Sequence, residues 1–214
     1  RQTPGIWKEN LQQACELNVQ HISAYHLIYE KQTKLYSLLQ KGRVRPVTDE
    51  TSTEMFSTLI DTLAQNSFEH YEISNFAKNG LYSKHNTSYW KNEKYMGLGP
   101  SAHSYDGENR RWNMASLEKY TAAIQSGKLL QESEKLTFAQ KYNEFILTGL
   151  RTMWGVDLDL LEERFGQELS GYCLQNARKF IREGLLAIKD NSLILTREGI
   201  FISDGIMSEL MRVE

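Results

Sequence analysis

Apolar positions along the first third of the chain change period from helical to extended and back again. Trp7, Leu11, Ala14, Cys15 and Asn18 fall on one face at a spacing of three to four, which predicts an amphipathic helix over residues 4–18. "RQTPGIW" supplies its start, with Thr3 as N-cap and Pro4 at the first helical position. "HISAYHLIYE", residues 21–30, is rich in β-branched and aromatic residues on both faces and predicts a parallel strand covered on both sides. After the turn at "KGRVRP", Thr48 or Asp49 caps a second helix whose Met55, Phe56, Leu59, Ile60 and Leu63 form a stripe. Helix, strand, helix is the order found in a slice of a βαβ-repeating fold, of which a barrel of parallel strands is one example. "HYEISNFA", residues 70–77, is expected as another strand or an extended segment.

The texture then changes. "KHNTSYWKNEKYMGLGPSAHSY", residues 84–105, has the pattern of neither a strand nor a helix. Beyond it, Ser116 caps a short helix carrying Leu117, Tyr120 and Ile124 and ended by Gly127. Thr137 and Gln140 form a capping box for a helix with Phe138, Tyr142, Phe145, Ile146 and Leu150 inward. Asp157 starts a third helix that ends at Gly166, and residues 168–183 form a fourth, with Tyr172, Cys173, Phe180 and Ile181 apolar and Gly184 as the stop. "LLAIKDNSLILT" sets two apolar runs around Asp190 and Asn191, a turn pair tolerant of positive φ, and helix returns over 199–212. Three helices and a hairpin are the winged-helix order, so residues 137–212 are expected to form a small winged-helix-like domain. The fold class is therefore α/β (α+β overall), divided into residues 1–110 and 111–214, with no internal repeat or low-complexity linker between them.

Composition narrows the function. Twenty-five Lys and Arg against 27 Asp and Glu leave a net charge of −2, without the basic excess of a nucleic-acid binder. In the helix that would read DNA, Arg178, Lys179 and Arg182 are offset by Asp157, Asp159, Glu162, Glu163 and Glu168, so nucleic acid is excluded as a partner. No run approaches the ~18 apolar residues of a membrane span, and the chain opens on helix-start chemistry without a charged-then-apolar leader. A membrane contact is not indicated, the cytoplasm is the expected compartment, and the chain reads as part of something longer. Cys15 and Cys173, the only cysteines, are too few and too far apart for a disulfide framework or a thiolate cluster, and both are expected to be buried thiols.

Chemistry could reside in the histidines. His21, His26 and His70 are expected to be hydrogen-bonded structural imidazoles. "HNTSYW" differs, because it sets His85 beside the carboxamide of Asn86 and the flat rings of Tyr89 and Trp90. An imidazole can ligate iron and large aromatics can stack on a planar ligand such as a tetrapyrrole, although core packing explains the same residues. In "GLGPSAHS", Gly97 and Gly99 let backbone approach closely and Pro100 fixes the exit. A dinucleotide site would need a third glycine and an acidic residue ~20 positions on, so a tight turn between strands is the simpler reading.

Taken together and in order, "HISAYHLIYE", "YEISNFA", "HNTSYW" and "YMGLGPSAHSY" resemble the C-terminal half of oxygen-independent coproporphyrinogen-III oxidase-like proteins of the radical S-adenosylmethionine superfamily. The resemblance covers nearly the whole chain. It implies the C-terminal part of a partial (β/α)6 barrel, entered just after the fifth strand, followed by extended segments and a helical domain. "HNTSYW" looks like the His-Asn-x-x-Tyr-Trp motif of the haem-chaperone branch, which makes His85, Asn86, Tyr89 and Trp90 candidates for binding haem, with His85 on its iron. The resemblance also implies S-adenosylmethionine and a [4Fe–4S] cluster in the full-length parent. The Cys-x-x-x-Cys-x-x-Cys run that would hold the cluster is absent from these 214 residues, so this chain alone is expected to make no radical. One wall of the S-adenosylmethionine site is implied at Tyr25 to Ile28 and at Gly99 and His103. The family's oxidising members carry a different residue where His103 stands, so no side-chain role is carried over to it.

The function implied is cytoplasmic haem delivery to an acceptor protein. Two alternatives stand beside it: oxidative decarboxylation of the porphyrinogen propionates of coproporphyrinogen III, and a non-catalytic protein-interaction module.

Overall fold

Thr3 accepts from the amide of Ile6 and Pro4 opens the first helix, as the local chemistry requires. In the computed structural model, which describes residues 2–213, the chain divides into two compact units, Arg1–Ser83 and Lys84–Glu214. The boundary falls earlier than the expected one at 110/111. Residues 103–113 lie in strands that pair onward to residues 131–135, and this pairing ties them to the C-terminal unit.

The first unit runs α1 (Pro4–Glu16), β1 (His21–Ser23), α2 (Lys34–Gln40), α3 (Asp49–Gln65), β2 (Glu69–Glu72) and β3 (Asn75–Ala77). Thr48 caps α3, and Phe56, Leu59, Ile60 and Leu63 are buried along its stripe. Two expectations are corrected here. "HYEISNFA" is a hairpin, β2 and β3, whose buried Glu72 accepts from the amide of Ser74 and the carboxamide of Asn75. "HISAYHLIYE" is not one parallel strand, since only His21–Ser23 joins the sheet, antiparallel to β3, in the order β1-β3-β2. A covered parallel strand needs a strand to pair with and a layer over each face, and among the described residues the segment after Ser23 joins no strand. Tyr25, Leu27 and Ile28 consequently stand 69%, 67% and 70% exposed. Helix α2, capped by Thr33, was not expected from the sequence; its short stripe of Leu35, Leu38 and Leu39 is only half-buried.

The three structural histidines have partners as expected. His21 Nε2 meets the Tyr71 hydroxyl at 2.8 Å, His26 Nδ1 meets Ser52 Oγ at 3.1 Å, and His70 Nε2 meets the Ile73 carbonyl at 3.0 Å. Cys15 is only half-buried, a correction to the expected buried thiol, because α1 presents Leu11 rather than Cys15 to the core.

The second unit runs α4 (Lys84–Trp90), β4 (His103–Tyr105), β5 (Asn109–Asn113), α5 (Leu117–Gln125), β6 (Gln131–Lys135), α6 (Phe138–Leu150), β7 (Val156–Asp157), α7 (Leu158–Arg182), β8 (Leu186–Lys189), β9 (Ser192–Leu195), α8 (Arg197–Ile200) and α9 (Ser203–Leu210). One antiparallel sheet has the order β4-β5-β6 and another β7-β9-β8. The capping box of Thr137 and Gln140 forms at the start of α6. The two expected helices over 157–183 are the arms of α7, which bends at Gly166 with φ 78°. Asp190 and Asn191 both adopt positive φ, 46° and 60°, in the β8–β9 turn. The winged-helix order is therefore present. Phe138, expected inward, is exposed instead, as are Leu117 and Ile124 of α5; Ala123 is buried in α5, and Tyr142, Phe145, Ile146 and Leu150 are buried in α6 as expected.

Candidate functional site

"KHNTSYW" folds as α4, which corrects the expectation that residues 84–105 contain no helix. It is two turns long and buries no residue completely, so no apolar stripe announces it. On a helix of about 3.6 residues per turn, His85 and Tyr89 lie about 40° apart while Trp90 lies about 140° from His85. The four candidates therefore divide between two sides.

His85 is exposed and makes no hydrogen bond through its ring nitrogens among the described residues. Its ring meets Tyr89 edge-on, with centroids 4.9 Å apart and planes at 89°. Such a contact restricts rotation of the imidazole without engaging either nitrogen. Trp90 faces the other way. Its indole nitrogen is buried with no partner, the Arg151 guanidinium sits 5.1 Å from its ring centre, and Thr87 Oγ1, also buried and unpartnered, shares that side of α4. Asn92, just past the helix, donates to Thr148 Oγ1 at 3.2 Å and ties the end of the segment to α6.

Tyr89 passes the contact on. Its ring meets Tyr95 edge-on at 4.7 Å, and Tyr95 faces Tyr105 at 6.2 Å. Tyr95 and Tyr105 form an isolated antiparallel bridge, with N–H to carbonyl distances of 3.0 and 2.9 Å. In the strand register Tyr105 pairs with Arg110, whose guanidinium lies 5.9 Å from the Tyr105 ring and holds Glu144 of α6 through contacts of 2.8 and 3.1 Å. Burial pushes the Tyr105 phenol above its ordinary pKa. Tyr95 and Tyr105 are the two ends of the "YMGLGPSAHSY" motif but were not singled out as site residues, and Arg110 and Glu144 lie outside it, joined to Tyr105 through strand register and an ion pair.

The "GLGPSAHS" segment is the tight turn expected between extended segments. Gly97 runs so close to β4 that a Cβ there would fall 2.1 Å from the His103 carbonyl oxygen. Its amide donates to Ser104 Oγ, the Gly99 amide donates to the Tyr120 hydroxyl, and Asn113 donates to both glycine carbonyls. Gly99 has φ 105°. His103 is exposed, its ring tilted 31° over Trp112 at 5.9 Å. Of the implied S-adenosylmethionine wall, Tyr25 and Ile28 belong to the first unit and Gly99 and His103 to the second.

A [4Fe–4S] cluster does not fit the residues present. Burial pushes the Cys173 thiol up to about 11, away from the thiolate that ligation needs, and no group of three His, Cys, Asp or Glu able to hold a metal ion occurs among the described residues. Among these residues no helix is long and apolar enough to cross a membrane.

Residues 136–202 match the HemN C-terminal domain. The chain is 31% identical to the haem chaperone HemW of Bacillus subtilis across 98% of its own length and 56% of that protein. It is 38% identical to HemW of Synechocystis across 72% of its length and 38% of that protein. The fold superposes on the coproporphyrinogen III oxidase HemN of Escherichia coli, described as a radical SAM enzyme, with a TM-score of 0.74 at 16% identity, covering 98% of this chain and 52% of that one. The chain thus spans about half the length of the relatives it matches. The chain is thus similar to haem chaperone HemW proteins along nearly its whole length, matches the HemN C-terminal domain over residues 136–202, and shares the HemN fold.

Proposed function

We propose that this chain carries the haem-receiving site of a haem chaperone, with His85 donating to the iron. The observation that supports the reading is an exposed imidazole whose nitrogens are both unengaged among the described residues, braced by the edge of Tyr89. A neutral imidazole with a free lone pair is the usual protein ligand for haem iron. Tyr89 limits the directions in which that lone pair points. Trp90 and Thr87 seat α4 and leave the His85 side open, so Trp90 acts as an anchor rather than a stacking surface.

Haem is cargo in this account, passed to an acceptor protein in the cytoplasm. S-adenosylmethionine and the [4Fe–4S] cluster belong to the parent protein, with thiolate ligands from outside these 214 residues. The oxidase reading has less support, because the likeness to an oxidase is one of fold at 16% identity. An interaction module with aromatics that serve only as core would leave ligand binding unchanged in His85→Ala.

Titration of the chain with ferric haem, followed in the Soret region, tests the proposal. Saturable binding that His85→Ala abolishes without a change in melting temperature supports it. Equal binding by both proteins, or none by either, refutes it.

A further inference from the structure

We infer that Tyr95 is a positioning residue for His85, acting through Tyr89. The inference rests on the haem reading for its functional meaning, but its geometry stands alone. The three rings make successive edge-on contacts, His85 to Tyr89 at 4.9 Å and 89°, and Tyr89 to Tyr95 at 4.7 Å and 74°. An edge-to-face contact orients its partner because the positive edge of one ring seeks the negative face of the other. Two in series transmit the orientation of Tyr95 to the exposed imidazole.

Tyr95 is itself held at its backbone. It exchanges both hydrogen bonds with Tyr105, the closely spaced pair of an antiparallel ladder, so its Cα is fixed to β4 although it lies outside any strand. Tyr105 is steadied in turn by Arg110, and Arg110 by the two-point pairing with Glu144 on α6. The short helix α4 has no buried stripe of its own. The ring contacts with Tyr95 therefore give its His85 side a rigid reference that the helix alone lacks. An imidazole aimed in advance loses less freedom when iron binds, and that difference appears as affinity.

The test compares Tyr95→Ala, Tyr95→Leu and Tyr95→Phe in the full 214-residue chain, with His85→Ala as reference. Two readouts are taken: haem titration with the electron paramagnetic resonance spectrum of the ferric complex, and the His85 ring proton shifts of the ligand-free chain by NMR. The expected result is haem affinity weaker by roughly threefold to tenfold in Tyr95→Ala and Tyr95→Leu, with a broadened ferric spectrum, displaced His85 ring shifts, and recovery of all three in Tyr95→Phe. Tyr95→Leu decides the matter if Tyr95→Ala does not fold, since it removes the ring while keeping an apolar side chain larger than alanine's. Unchanged His85 shifts in the Leu variant, or a Phe variant as impaired as Leu, overturn the inference. If the wild-type chain binds no haem, the haem reading fails while the ring shifts still decide whether Tyr95 orients His85.

Discussion

Asn113, only 2% exposed, donates its carboxamide to the carbonyls of Gly97 and Gly99, at 3.2 and 2.8 Å, and accepts from Gln131 at 2.8 Å. One buried side chain thus fixes the glycine turn against the sheet that carries Tyr105 and His103. Asn113→Ala leaves two carbonyls and one amide without their partner and is expected to cost roughly 2–3 kcal/mol in urea denaturation. Asn113→Asp keeps the acceptor and loses the donor, so it is expected to fare little better. Wild-type stability in either variant would mean that water replaces the carboxamide freely.

Gly97→Ala tests the close approach itself. The added Cβ meets the carbonyl oxygen, carbonyl carbon and amide nitrogen of His103 at 2.1, 2.7 and 2.8 Å, all backbone atoms that cannot swing aside. A loss of about 2 kcal/mol or more is expected, because relief requires moving the extended segment away from β4. That movement would also strain the Tyr95–Tyr105 bridge, so the His85 ring shifts are expected to change along with the melting temperature.

The buried side of α4 makes an opposite prediction. Thr87 Oγ1 has no partner, whereas Thr148 Oγ1 accepts from Asn92 and donates to the Glu144 carbonyl. Thr87→Val removes a desolvated hydroxyl while keeping the branched shape, and is expected to be neutral or more stable by up to about 1 kcal/mol; Thr148→Val is expected to lose about 1 kcal/mol. A destabilised Thr87→Val would show that the hydroxyl is satisfied, for instance by a bound water.

Asp106 governs the acid behaviour of the β4–β5 turn. The amides of Asn109 and Glu108, then the Asn109 carboxamide and Arg111, hold its carboxyl down at about 2. The folded pKa lies below the ordinary value of about 3.9, so its stabilisation is complete above that value and is lost as pH falls through the folded pKa. The difference in melting temperature between wild type and Asp106→Asn is expected to be constant from neutral pH to about 5, to narrow below about 4, and to vanish near 2. A difference independent of pH would mean that the charge is immaterial.

What could be read from the sequence was whatever chemistry is local. Thr3, Thr48, Ser116, Thr137 and Asp157 cap the helices they were expected to cap, each by accepting from an amide three residues on. Gly166 and the Asp190–Asn191 turn lie where their backbone freedom is needed. What could not be read depends on partners remote in sequence. Residues 21–30 have strand composition whether or not a neighbour exists to pair with them, and here only three do so. The β2–β3 turn uses Ile73 and Ser74, of which only the serine carries a weak turn signal. His85 and Tyr89 were visible through a motif, but the support behind them comes from a bridge and a register that no spacing in the chain reveals.

If His85 recognises haem through its iron, the metal rather than the ring decides binding. Wild type and His85→Ala should therefore be titrated in parallel with ferric haem and with iron-free protoporphyrin IX. The account predicts saturable binding of haem by wild type, its loss in His85→Ala, and weak binding of the iron-free ring that does not distinguish the two proteins. Equal affinity of wild type for both tetrapyrroles, or haem binding that survives in His85→Ala, would contradict it.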